Sequence, residues 1–232
     1  MTDYFSWSRL VSAFPKVLEY LPDTLMMVAY ALAIGIVLGL LLAYVRMFRV
    51  PVLNQIAIVF ISFIRGTPEI VQLFIVYYGT PILVAALTGV NLDDVPAFYF
   101  AVIGLGLNQA GFMAELFRGA FEAVPAGQFE AGYAAGLTWW QTFRRVVVPQ
   151  AIRAVIPGLG IMTVGLFQTT VLASALGVMD VLGRAIAIGN ATSHSLEPYA
   201  AAAIIFIVVS LALEWFFRFL DARFSFGRKV AA

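Results

Sequence analysis

Residues 24–45 read TLMMVAYALAIGIVLGLLLAYV, and no charge falls between Asp23 and Arg46. A helix needs about 20 mostly apolar residues to cross the roughly 30 Å hydrocarbon core of a bilayer, and this run supplies them. The rest of the chain has the same character. Its 232 residues are 62% hydrophobic and 12% charged, with a mean hydropathy of +0.94, whereas soluble domains are roughly 25% charged. Fourteen Lys and Arg and 13 Asp and Glu are too few to cover a water-soluble globule of this size. The chain is therefore read as an integral membrane protein. A net charge of +1 argues against a nucleic-acid partner. The lack of Cys excludes disulfides and thiolate chemistry, and one His, His194, cannot build a metal site unaided.

Outward from that first run, charge-poor gaps mark the other crossings. Val95–Ala114 lies between Asp94 and Glu115, Ala154–Met179 between Arg153 and Asp180, and Pro198–Phe217 is interrupted only by Glu214. The region 50–92 is divided by Arg65 and Glu69 and again by Gly79-Thr80-Pro81, so one crossing there either starts near Gln55 or continues past Pro81 toward Val90. The expectation is an all-α, single-domain chain over 1–232. Its five spans fall at about 24–46, 55–79, 95–117, 154–179 and 197–218, with a cytoplasmic loop at about 119–152.

Orientation follows from Lys and Arg near the span ends. One side gathers Arg46, Arg49, Arg118, Arg144, Arg145, Arg153, Arg218, Arg223, Arg228 and Lys229, and the other holds Arg9, Lys16 and Arg184. This asymmetry puts the 118–153 segment and the C-terminus in the cytoplasm and the N-terminus outside. Residues 1–23 do not read as a signal peptide, because Asp3, Glu19 and Asp23 lie where a basic start and an apolar run belong.

The cytoplasmic loop is too polar to span and too regular to be a tether. Pro125 and Glu130 suit the early turns of a short helix over Ala126–Ala135, and Gly136 suits a left-handed end. Thr138 with Gln141 three residues on reads as a capping box opening a second helix that runs to Val148 and is limited by Pro149. Taken alone, the loop is either a structured projection or a basic interfacial hairpin.

Three motifs in one order bear on that choice. Glu130-Ala131-Gly132, Gly136, and then Val146, Val148 and Pro149 resemble the EAA loop of the membrane subunits of bacterial ABC importers, a pattern of Glu-Ala-Ala, three residues, Gly, nine residues, Ile, any residue, Leu-Pro. Phe63-Ile64-Arg65-Gly66-Thr67-Pro68 with Val71-Gln72-Leu73-Phe74 and Tyr77-Tyr78-Gly79, and Ala114-Glu115-Leu116-Phe117-Arg118-Gly119 leading to Gly127-Gln128-Phe129, narrow the likeness to the polar amino acid uptake permeases. The likeness covers about residues 20–220. It implies a type I ABC importer permease fold in a bacterial inner membrane, with Glu130, Ala131, Gly132, Gly136 and Pro149 coupling to an ATPase. The partners it implies are a dimer of ATPase subunits that binds ATP and Mg, a second permease, identical or not, and an extracytoplasmic solute-binding protein that delivers the amino acid.

Departures from the family pattern are informative. Gly132 replaces the second Ala, at a cost of about 1 kcal/mol to an isolated helix. In the fourth span such permeases usually read Asn and, seven residues on, Lys-Asp-Thr-Ser-Leu, where this chain has Ile161 and Gln168-Thr169-Thr170-Val171-Leu172. The missing charges favour neutral or small zwitterionic solutes.

No Walker A run is present, so ATP chemistry belongs to a partner and no cofactor is expected in this chain. Intramembrane polar residues are the candidates for the solute path, because lipid does not satisfy them. Asn108 and Gln109 in the third span and Gln168, Thr169 and Thr170 in the fourth either ligate an amino acid or hydrogen-bond between helices. Arg65, beside Gly66 and Pro68, either faces the path or snorkels to the interface. Ala31, Gly35, Gly39 and Ala43 form a small-residue ridge that packs against a second permease or within the chain. A secondary transporter or channel would want a buried relay of Asp, Glu or His, and the span centres supply none apart from Glu69. An intramembrane enzyme would want a nucleophile and base, and neither His nor Cys lies in a span. No catalytic and no metal residues are expected.

Overall fold

The computed structural model describes residues 5–224, so Asp3, Arg228 and Lys229 of the charge argument lie outside the described residues. In chain order the helices are α1 (Trp7–Leu18), α2 (Leu21–Met47), α3 (Leu53–Gly66), α4 (Glu69–Thr88), α5 (Ala97–Glu122), α6 (Gly127–Ala134), α7 (Trp139–Thr142), α8 (Val148–Thr169), α9 (Val181–Thr192) and α10 (Leu196–Phe224). A π-helical segment, Phe143–Val147, joins α7 to α8, and a 3₁₀ segment, Thr170–Leu176, follows α8. Five stretches are long and apolar enough to cross a membrane: Leu21–Met47, Glu69–Thr88, Ala97–Glu122, Trp139–Leu176 and Leu196–Phe224.

The centre of the bundle is α5. Its buried residues run all round the helix, and 67% of its most apolar window is inside the protein, against 11% for α4 and 17% for α10. Most of the apolar surface of α4 and α10 lies outside the chain's own core, so these two helices form the rim. The small-residue ridge explains how α2 reaches α5. A methyl group on Gly35 would sit 2.7 Å from Gln109 Cβ, and one on Gly39 would sit 2.8 Å from Met113 Cβ. Ala31 and Ala43 are buried on the same stripe. The ridge is thus occupied inside the chain, not left for a second permease.

Two expectations about the elements are revised. The crossing placed at about 55–79 is two helices broken at Thr67-Pro68, and the spanning one continues through Pro81 to Thr88. The break follows from Pro68, which steers Thr67 into the extended region at φ −121°, ψ 148°. Pro149 does not end a helix; it stands in the first turn of α8, where its missing N–H is harmless. The preceding π segment widens the coil ahead of the ring, so the helical path runs on from Trp139 to Leu176.

Candidate functional site

The short helices α6 and α7, expected to couple to an ATPase, lie at the end of the bundle where α2 finishes, since Phe48 meets the ring of Trp139 at 6.0 Å between centroids. Gly136 has φ +75°, the left-handed conformation that turns α6 into α7. The capping box at Thr138 is complete: Gln141 N–H donates to Thr138 Oγ1 at 3.3 Å, and Thr138 N–H donates to Gln141 Oε1 at 2.9 Å. Gly132 is the buried residue of α6, and a Cβ there would collide with the Thr142 side chain. The departure from Ala at this position is thus matched by close packing of α6 on α7, which a helix-propensity argument alone does not reveal. Glu130 and Ala131 are exposed beside the exposed rings of Tyr133, Trp139 and Trp140. Stacking of Trp139 on Phe143 at 5.1 Å and on Phe129 at 6.1 Å binds the two short helices and the π segment into one aromatic surface.

The path candidates divide into two groups. Asn108 is buried and donates to Gln72 Oε1 at 3.0 Å. Gln72 in turn donates to Ile64 O at 2.8 Å and to Thr67 Oγ1 at 2.8 Å, across the α3–α4 break. Asn108 therefore belongs to a tie between helices. Gln109 is buried against α2, and its Oε1 has no partner among the described residues. Thr169 and Thr170 spend their hydroxyls on Gly165 O and Phe167 O at 2.8 and 2.7 Å. Gln168 differs, being exposed and 3.3 Å from Ser210 Oγ on α10.

Gln168 lines an open crevice of about 550 Å³ between antiparallel α8 and α10, together with Gly160, Ile161, Glu214, Arg218 and Asp221. Neither Asn108 nor Gln109 lines it. Ile161, in the position where Asn is usual, is 76% exposed on the crevice wall. Glu214 pairs with Arg218 at 2.6 Å. Ser210 is not among the residues singled out from the sequence, because a spacing of 42 residues from Gln168 gives no signal for the contact.

Arg65 is exposed at the end of α3, on the side where Arg46 meets Glu115 at 2.6 Å and Arg118 meets the same carboxylate at 2.7 Å. One acid near a span end has a structural post. Asp180 is fully buried and caps α9 by accepting from Gly183 N–H at 2.7 Å. Burial pushes its carboxyl up to about 6, against the opposing pull of the backbone donors of α9. His194 is exposed in the turn before α10.

Five apolar crossings, one of them the buried central helix, a helical projection at one end and a crevice with a few polar side chains on the outside of the monomer define a membrane permease subunit. The chain belongs to the family of binding-protein-dependent transport system inner membrane components, whose model matches residues 35–226. It is 41% identical over 223 residues to the L-cystine transport system permease protein TcyL of Bacillus subtilis, covering 96% of this chain and 93% of that one. It is 34% identical over 221 residues to the glutamine transport system permease protein GlnP of Escherichia coli, covering 94% and 97%. A solved structure of an amino acid ABC transporter with histidines superposes with a TM-score of 0.84 at 30% identity, over 96% of this chain and 100% of that one. The methionine ABC transporter MetNI shares the fold at a TM-score of 0.68 and 18% identity, over 95% and 99%. The architecture is the type I ABC importer permease fold.

Proposed function

We propose that this chain is one of two permease subunits of an ATP-driven importer of neutral, polar amino acids. The solute reaches it from an extracytoplasmic binding protein, and two ATPase subunits, holding ATP and Mg, engage the surface around Glu130, Ala131, Gly132 and Gly136. The N-terminus lies outside and the C-terminus in the bacterial cytoplasm. Relatives named for L-cystine and glutamine transport support the solute class. The observation that carries it is the polar pair on the outer faces of α8 and α10: Gln168 of the crevice and Ser210 of the adjoining hollow offer an amide and a hydroxyl, while the Glu214 carboxylate, which borders both, is engaged by Arg218. Neutral donors and acceptors suit a zwitterion with an uncharged side chain better than a cation. In the dimer the crevice faces the second permease, and the substrate passes along it.

The test is to purify the assembled complex with its binding protein and to measure ATP hydrolysis against a panel of amino acids. Stimulation by neutral polar amino acids is expected. Stimulation by arginine or lysine alone overturns the solute class, and indifference to every amino acid overturns amino acid import.

A further inference from the structure

Helix α1 lies at the end of the bundle opposite the coupling helices, because α2 starts beside it and finishes beside Trp139. Its twelve residues span about 18 Å, too short to cross a bilayer. It is fixed in place from the far end of the sequence. Ser6 N–H donates to Glu197 Oε1 at 2.8 Å and Arg9 Nε donates to the same oxygen at 2.7 Å, with Glu197 only 1% exposed at the start of α10.

The surface of α1 carries three stripes, not two. Leu10, Ala13 and Val17, at spacings of three and four, are buried, and Leu10 and Val17 share a cluster with Val181, Ala185, Ala201 and Ile205. Ser8, Ser12, Lys16 and Glu19 form an exposed polar stripe. Between them run Trp7, Val11 and Leu18, at spacings of four and seven, beside Phe14, which packs against the buried cluster. Trp7 is 74% exposed, Val11 69% and Leu18 40%. A surface helix of a soluble protein has an inner apolar face and an outer polar one, so the second apolar stripe is unaccounted for by packing.

We propose that α1 is an interfacial helix lying in the outer membrane–water boundary, with lipid as the occupant of the Trp7–Val11–Leu18 stripe. Each stripe then meets its own medium: protein, lipid headgroup and acyl boundary, and water. Continuity with the lipid-facing surface identifies the occupant. The chain passes from α1 into α2 within two residues, and the first large apolar side chains exposed on that span, Leu25 and Met26, extend the apolar band of Leu18. Trp belongs at this depth, because its ring is apolar and its N–H finds the headgroups. Tied by Glu197 to α10 and by Tyr20 to α2, the helix holds the outer ends of two spans at a fixed level in the membrane.

Because the chain has no Cys, single nitroxide labels can be placed cleanly. Val11→Cys and Leu18→Cys probe the apolar stripe, and Ser12→Cys and Lys16→Cys probe the polar one. All four are introduced in the full chain, assembled with its ATPase in nanodiscs of phosphatidylethanolamine and phosphatidylglycerol. Labels at 11 and 18 are expected to collide more often with oxygen, and labels at 12 and 16 more often with a water-soluble nickel chelate. In an unlabelled sample, lipids brominated near the headgroup should quench a fraction of Trp emission that Trp7→Phe removes. Equal nickel access at 11 and 12 puts the stripe in water and overturns the proposal. Shielding of 11 and 18 from both reagents, with no loss of quenching in Trp7→Phe, means that a second protein covers the stripe and overturns it as well.

Discussion

Asn108 on α5 gives its amide hydrogen to Gln72 on α4 at 3.0 Å, and both side chains are buried. Through Gln72 the tie reaches Ile64 and Thr67, so one residue of the central helix secures the break where α3 hands over to α4. Asn108→Leu strips Gln72 Oε1 of its donor inside the protein, a loss of about 1–3 kcal/mol. The expected result is a lower Tm of the purified complex, with the half-maximal solute concentration of the surviving molecules unchanged. A shift in that concentration at unaltered Tm would return Asn108 to the solute path.

Much of this architecture is legible in the sequence because lipid imposes a simple rule: uncharged runs of span length become helices, as at 24–45 and 95–114. The EAA loop is legible for a different reason, since Gly136, Thr138 and Gln141 act within a few residues of themselves. What stays hidden depends on distant pairing. Nothing in the sequence around Glu197 distinguishes it from other acids near the span ends, yet it binds Arg9 across 188 positions. The exit of Gln168 to the crevice and of Asn108 to the interior follows from which face of α8 and α5 meets α10 and α4. Both helices are apolar on several sides, so their periodicity does not reveal those faces.

The Gly132 site yields a prediction opposite to helix propensity. Ala is the better helix former, yet a Cβ at 132 meets the Thr142 side chain. Gly132→Ala should therefore separate α6 from α7 and lower transport, and Gly132→Ala with Thr142→Ala should recover part of the loss. A double-mutant cycle on uptake rate measures the coupling; strictly additive effects would show that the contact is not felt.

Asp180 predicts a pH effect. Its carboxyl, ordinarily near 3.8, titrates at about 6 in the fold because burial disfavours the charged form. The fold is thus relieved of that burden below about pH 4, and loses stability as the pH rises through 6, where the buried group must ionise. Asp180→Asn keeps a cap oxygen for Gly183 and removes the ionisation. The variant should exceed wild type in Tm at pH 7.5, by an amount corresponding to roughly 1–3 kcal/mol, and the difference should vanish toward pH 4. A pH-independent difference counts against burial as the cause.

Gly136→Val tests the projection. At φ +75° a β-branched residue is strained by about 1–3 kcal/mol, so the turn between α6 and α7 opens while the spans, which lie elsewhere, still insert. Membrane levels should match wild type and uptake should collapse. Normal uptake by well-expressed Gly136→Val would refute the coupling role of the turn.

Gln168→Leu decides whether the crevice is the path. Its carboxamide is exposed and makes one long contact, 3.3 Å from Ser210 Oγ, so its removal costs the fold little. If solute passes along α8 and α10, losing that amide removes a hydrogen bond to the solute, and the half-maximal concentration should rise by roughly tenfold, the equivalent of about 1.4 kcal/mol. Basal ATP hydrolysis should hardly change, because Glu130 and Gly136, proposed to meet the ATPase, stand outside the crevice lining. Should the side chain serve only to join α8 to α10, the same substitution lowers thermal stability and leaves the half-maximal concentration where it was. Measuring both quantities on one preparation separates the two roles, and the second pattern removes Gln168 from the solute path.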